Sequence, residues 1–122
     1  MSRINSQIKK EIIKIINKHI GNNFLLIAFG SLAKNQIKRS SDLDLALYKE
    51  GGLSTQKILE IKEELDTEVH TLREIDLINL GDENLDPGLL KNILEGGLIW
   101  HRAKNSKELL KNLRRRLINT KK

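Results

Sequence analysis

A layered α/β domain, with helices packed on a central sheet, is the fold class this sequence predicts, and three observations predict it. Isoleucines recur at helical spacing near the N-terminus, at Ile4, Ile8, Ile12, Ile15, Ile16 and Ile20. A short unbroken apolar run, "FLLIAF" (24–29), then reads as a strand buried on both faces. Beyond it, segments with strand-like patterning keep alternating with segments of helical period, the pattern of helices layered on one sheet.

Taken in order, the isoleucine stripe makes an amphipathic helix that Gly21 and Asn22 stop. Gly30-Ser31 breaks the first strand, and "LAKNQI" reads as a short helix starting there. "DLDLALY" (42–48) alternates as a strand, closed by "KEGG". Ser54 or Thr55 caps a helix running to about Asp66, with Ile58, Ile61 and Leu65 on one face. "EIDLINL" (74–80) is a further strand, and the stretch from Thr67 to Arg73 before it has no clear period. Asp86-Pro87 supplies a cap and a proline for the first turn of a helix that reaches Glu95 and ends at Gly96-Gly97. "LIWH" (98–101) makes a last strand, and "SKELLKNLRRRLI" (106–118) a final helix with Leu109, Leu113 and Leu117 in register.

A chain of 122 residues fits one domain with a modest core. Without cysteine it has neither a disulfide framework nor a thiolate metal site. The longest apolar run is far too short to span a bilayer. Charges interrupt the first twenty residues, leaving no signal-peptide core. A soluble, cytoplasmic protein is the expectation. The net charge of +6 is unevenly placed. Residues 101–122 hold nine Lys/Arg against one Glu, a balance of +8, whereas residues 1–100 hold thirteen against fifteen acids, a balance of −2. The chain therefore divides into a slightly acidic body, 1–101, and a basic C-terminal helix or tail, 102–122. Such a body is not a basic nucleic-acid binder, and no aromatic platform accompanies the basic segment.

Asp42 and Asp44 carry the chemistry. One residue apart on a strand, their carboxylates point the same way and repel each other. A third acid, Asp76, sits between apolar residues in "EIDLINL". Three carboxylates from neighbouring strands suit a hard divalent cation such as Mg²⁺, which shares its remaining positions with water and substrate phosphates. Two such ions about 3.5–4 Å apart can hold the attacking and leaving oxygens of a phosphoryl displacement. Gly30-Ser31, where a buried strand gives way to a helix, offers free N–H groups, the positive end of a dipole and a hydroxyl to phosphate. Taken alone, Asp42 and Asp44 fit a solvated strand end equally well. A calcium loop of the EF-hand kind is excluded, because "DLDLALYKEGG" lacks the third ligand and the glycine position.

Gly-Ser, ten residues, then Asp-Leu-Asp in "GSLAKNQIKRSSDLDLA" resembles the signature of the nucleotidyltransferase superfamily that includes DNA polymerase β. The short chain resembles its minimal nucleotidyltransferase branch, often paired with an all-helical HEPN partner, over roughly residues 4–101. The resemblance implies a small mixed β-sheet flanked by helices, a polymerase β-like core. It implies that Asp42 and Asp44 bind metal, that Asp76 ligates the catalytic metal and helps deprotonate the attacking hydroxyl, and that Gly30 and Ser31 hold the β- and γ-phosphates. Two departures stand out: many relatives have Arg and Gly where Leu32 and Asn35 stand here. The phosphate contact of the missing arginine falls to Lys34, Lys38 or Arg39.

By this resemblance the chain is an NTP- and Mg²⁺-dependent nucleotidyltransferase that adenylylates a hydroxyl, a tyrosine of a HEPN toxin, and so acts as its antitoxin in a hetero-oligomer. The competing readings are a partner-binding module with a relict site and a small-molecule nucleotidyltransferase of the antibiotic-modifying kind, which normally needs a second domain for its pocket. His19, His70 and His101 have no ligand spacing, Tyr48 reads as a packed strand-end residue, and Trp100 as a core-edge residue.

Overall fold

The computed structural model describes residues 6–30, 42–71 and 73–120. Among these residues four helices and four strands follow in the order α1 (Ser6–Ile20), β1 (Leu25–Phe29), β2 (Leu43–Tyr48), α2 (Thr55–Glu68), β3 (Ile75–Asn79), α3 (Pro87–Gly96), β4 (Leu98–His101) and α4 (Ser106–Thr120). Across the described residues this is the order the patterning predicts. Ile4 and the "LAKNQI" helix fall outside the described residues.

The strands form one mixed sheet in the order β3-β2-β1-β4. β1 pairs antiparallel with both β2 and β4, while β2 and β3 run parallel. Side-chain alternation then sorts the core into two layers. Leu26 and Ala28 of β1, Leu43, Leu45 and Leu47 of β2 and Ile75 of β3 pack on Ile12 and Ile16 of α1 and Ile61 and Leu65 of α2. On the other face Leu25, Ile27 and Phe29 of β1 and Ala46 of β2 pack on Leu90 and Ile93 of α3 and Leu109 and Leu113 of α4. β1 is thus buried throughout, which is why it reads as an unbroken apolar run, and β2 contributes its leucines to the first layer only.

Local chemistry ends the helices where the sequence suggests. Ser54 Oγ accepts the Lys57 N–H at 3.0 Å to cap α2. Asp86 Oδ2 accepts the Leu89 N–H at 3.0 Å to cap α3, with Pro87 in its first turn. α2 runs two residues beyond Asp66, because Thr67 Oγ1 donates to Glu63 O and the Val69 N–H donates to Leu65 O, turning Val69 into the core. That last turn is the first part of the Thr67–Arg73 stretch that lacks a sequence period. At the far end of the chain α4 lies on the sheet, and the Arg116 guanidinium donates to the carbonyls of Leu80 and Asp82. No helix among the described residues is long and apolar enough to cross a membrane.

Candidate functional site

The acids gather at one end of the sheet, where β1 finishes and β2 and β3 begin. Asp44 lies opposite Phe29 in the antiparallel β1–β2 register and beside Asp76 in the parallel β2–β3 register. Leu43, Leu45 and Leu47 occupy the face under α1 and α2, so Asp44 is turned to the opposite face by alternation. Asp76 shares that face, because Ile75 beside it is committed to the first layer. Asp42 stands one position before β2 and is exposed, while Asp44 and Asp76 are half-buried.

Gly30 is fitted to this arrangement twice over. Its φ of +73° lies in the left-handed region, and a Cβ at this position would stand 2.3 Å from Asp44 Oδ2. The backbone that leaves β1 therefore passes against the Asp44 carboxylate with no space for any side chain. Ser31, with Leu32, Lys34, Asn35, Lys38 and Arg39, lies outside the described residues.

Electrostatics make the end of the sheet costly as it stands. Burial pushes the Asp44 carboxyl above the usual aspartate range, and the charges of Asp76 and Asp42 push it the same way, as does the hydrogen bond with Asp76. Among the described residues no lysine, arginine or histidine forms an ion pair with any of these acids. A fourth carboxylate, Glu74, joins them: one oxygen from each of Asp42, Glu74 and Asp76 lies within 4.8 Å of the others. The donor set is all oxygen, without sulfur or imidazole, and suits a hard divalent cation.

Sequence reading overlooked Glu74, although "EID" repeats on β3 the acid-x-acid spacing of "DLD" on β2. The signal was present, but its use depends on the register. Leu43 and Ile75 pair, and the Leu43 N–H donates to Glu74 O at 2.8 Å, so the positions just before the two strands come together.

The other polar residues singled out in the sequence are placed elsewhere. His19 Nε2 contacts Glu64 Oε1 at 2.8 Å and links α1 to α2. His101 stacks on Phe24 with ring centroids 4.1 Å apart and contacts Asn22 O. His70 is exposed beside Glu11. Lys9 lies 5.7 Å from the Trp100 ring centroid. Tyr48 ends β2 at the opposite end from Asp42. A groove of 690 Å³ lined by Leu53, Ile58, Leu59, Ile78 and Asn79 also lies towards the far end of β3, about 10 Å along the strand from Asp76. It offers nothing to the acid cluster.

Comparison with known proteins gives a consistent result. The family model described as "Polymerase beta, Nucleotidyltransferase" matches residues 10–105. Among curated proteins a sequence search finds no match. Solved structures share the fold. One is a toxin–antitoxin with AMP-PNP, at TM-score 0.70 and 19% identity, covering 93% of this chain and 86% of that one. Another is a tri-AMPylated Shewanella oneidensis HEPN toxin in complex with MNT antitoxin, at TM-score 0.70 and 18% identity, covering 97% and 87%. A third is the toxin–antitoxin MntA–HepT, at TM-score 0.68 and 17% identity, covering 96% and 87%.

Proposed function

Since this chain belongs to the polymerase β nucleotidyltransferase family, we propose that it transfers AMP from ATP to a tyrosine hydroxyl of a helical HEPN toxin and thereby acts as the antitoxin. The observation that carries the chemistry is the placement of Asp42, Asp44 and Asp76 at one end of the sheet, with Asp44 against the side-chain-free backbone of Gly30. The acceptor is proposed by analogy with the AMPylated toxin complex that shares this fold.

In this reading Asp42 and Asp44 hold Mg²⁺, two ions in the working complex, with Asp76 as their third protein ligand. Bound there, the metal neutralises charge on the triphosphate and polarises the reacting phosphoryl group. Gly30 lets the backbone approach the β- and γ-phosphates, and the Ser31 hydroxyl donates to them. The acceptor oxygen forms a bond to the α-phosphorus as the bond from that phosphorus to the β-phosphate oxygen breaks. The hydroxyl proton passes to the Asp76 carboxylate, and pyrophosphate leaves.

The mouth of the site supports a macromolecular acceptor. Asp42 and Glu74 are exposed at the start of their strands, within reach of an acceptor carried on another protein. Residues 1–101 carry the proposed catalytic core, residues 102–122 supply the basic helix, and the cytoplasm, which holds ATP and Mg²⁺, is the place of action.

Intact mass spectrometry of the HEPN partner, after mixing with this protein, ATP and Mg²⁺, tests the reading. A gain of one or more AMP units with the wild type, lost when Asp42 and Asp44 are both changed to Asn, is expected. No gain, with the toxin neutralised equally by both forms, would overturn it in favour of inhibition by contact alone.

A further inference from the structure

We infer that this chain pairs with a second copy of itself, each copy seating the exposed side of α4 around Ile118 in the apolar groove beside β3 of the other. The inference is independent of the proposed AMP transfer, because the groove lies at the opposite end of β3 from Asp76.

Both halves of such a contact are present on one chain. The groove, 690 Å³ in volume, has an apolar lining of Leu53, Ile58, Leu59, Ile78 and Leu85, and its charged lining is acidic, from Asp82 and Glu83. The outer side of α4 is its complement. Lys107, Lys111, Arg114 and Arg115 are exposed, and the pitch of the helix gathers them within about 100° of its circumference. Ile118 falls in the middle of that arc. A large apolar side chain flanked by cations matches an apolar groove with an acidic lip. Exposure sharpens the match. Among the described residues the large apolar side chains left in water are Leu59 at 56%, Leu98 at 48% and Ile118 at 67%. Leu98 opens β4 at the acid end of the sheet, whereas Leu59 lines the groove and Ile118 belongs to the α4 stripe. Seating one against the other removes both from water.

Position lets the pairing close on itself. Arg116 donates to the carbonyls of Leu80 and Asp82, so α4 reaches the turn after β3 only two residues before Ile118. Glu83 and Leu85 line the groove, and they also line a small cleft with Arg116 and Leu117. The groove and the end of α4 thus flank one loop. A two-fold axis at that loop exchanges them, so each Ile118 enters the groove of the other copy and assembly stops at two chains. Arg114 of each copy is brought to Glu83 of the other, and both acid clusters remain outside the contact.

Sedimentation of the full chain alone, over a range of concentrations, tests the inference. A reversible equilibrium between one chain and two is expected. Leu59→Asp and Ile118→Asp should each weaken dimerisation at least about tenfold. Both side chains are exposed, so the circular dichroism spectrum of each variant should match that of wild type. Glu83→Arg and Arg114→Glu should each weaken the dimer, and the two combined should recover most of the loss. Leu98→Thr, which removes the exposed apolar side chain at the other end of the sheet, should change nothing. A wild type that stays monomeric at every concentration would overturn the inference. So would a dimer that Leu59→Asp and Ile118→Asp leave intact. Growth beyond two chains, or a charge-exchanged variant no stronger than its parents, would overturn the two-fold arrangement.

Discussion

At Gly30 the chain leaves β1 with a left-handed backbone and passes where a Cβ would be 2.3 Å from Asp44 Oδ2. Alanine there meets both penalties. The backbone term alone costs about 1–2 kcal/mol, and the clash forces Asp44 away from Asp76. Gly30→Ala should therefore lower Tm by about 8 °C for a chain of this size and cut the proposed AMP transfer at least about tenfold. Calorimetry and the mass assay read the two effects separately. Asp44 itself is held above the ordinary aspartate value by burial and by the charges of Asp76 and Asp42. Its folded state therefore binds the proton more tightly than the unfolded chain does. The resulting stabilisation is fully present below the unfolded pKa of about 3.9 and is lost as pH rises through the folded pKa. Glu11, Glu60 and Glu64 are shifted downward and give the opposite slope, so the informative quantity is a difference between two proteins. In metal-free buffer, the Tm of Asp44→Asn minus that of wild type should grow as pH rises from about 4. A difference that stays flat would show Asp44 to be an ordinary aspartate.

At the scale of elements, what was legible in the sequence was whatever is fixed locally. The Ile12, Ile15 and Ile16 stripe, the unbroken apolar β1, the alternation of β2 and the Asp86-Pro87 start of α3 each result from short-range periodicity or capping. Asp86→Ala should accordingly cost about 1 kcal/mol, or about 4 °C in Tm, because the Leu89 N–H loses its acceptor while Pro87 remains in place. The β2–β3 register was not legible. It is set by Leu43 against Ile75 across more than thirty residues of chain, and the segment entering β3 carries no period of its own. Asp42, Asp44 and Asp76 could be named, and their convergence expected, without it, whereas the pairing of Asp44 with Asp76 could not be read. Glu74 was lost for the same reason: an acid at a strand entrance looks solvated until its neighbour across the register is known to be Asp42. Ser31 remains a reading of the sequence alone.

Across the whole molecule the sheet has two covered faces, and the basic C-terminal segment contributes to one of them. α4 presents Leu109 and Leu113 to Leu25 and Ile27, and Arg116 ties it to the turn after β3 through the carbonyls of Leu80 and Asp82. Lys107, Lys111, Arg114 and Arg115 point away into solvent. Four of the nine basic side chains of residues 101–122 thus stand on the outside of a helix whose inner side is core. Inner and outer substitutions should consequently separate. Leu113→Ala removes a fully buried side chain and leaves a cavity against β1, at a cost of about 2–5 kcal/mol, or about 8–20 °C in Tm. Lys111→Ala, on the exposed side, should stay within about 0.5 kcal/mol of wild type. Thermal unfolding of the two variants decides it. If Leu113→Ala melted with wild-type stability, α4 would be an appendage that the sheet does not need. If it melts as expected, the acid site at the end of the sheet depends on α4, because β1, whose last residue leads into Gly30, is held from that side by α4 and α3 together.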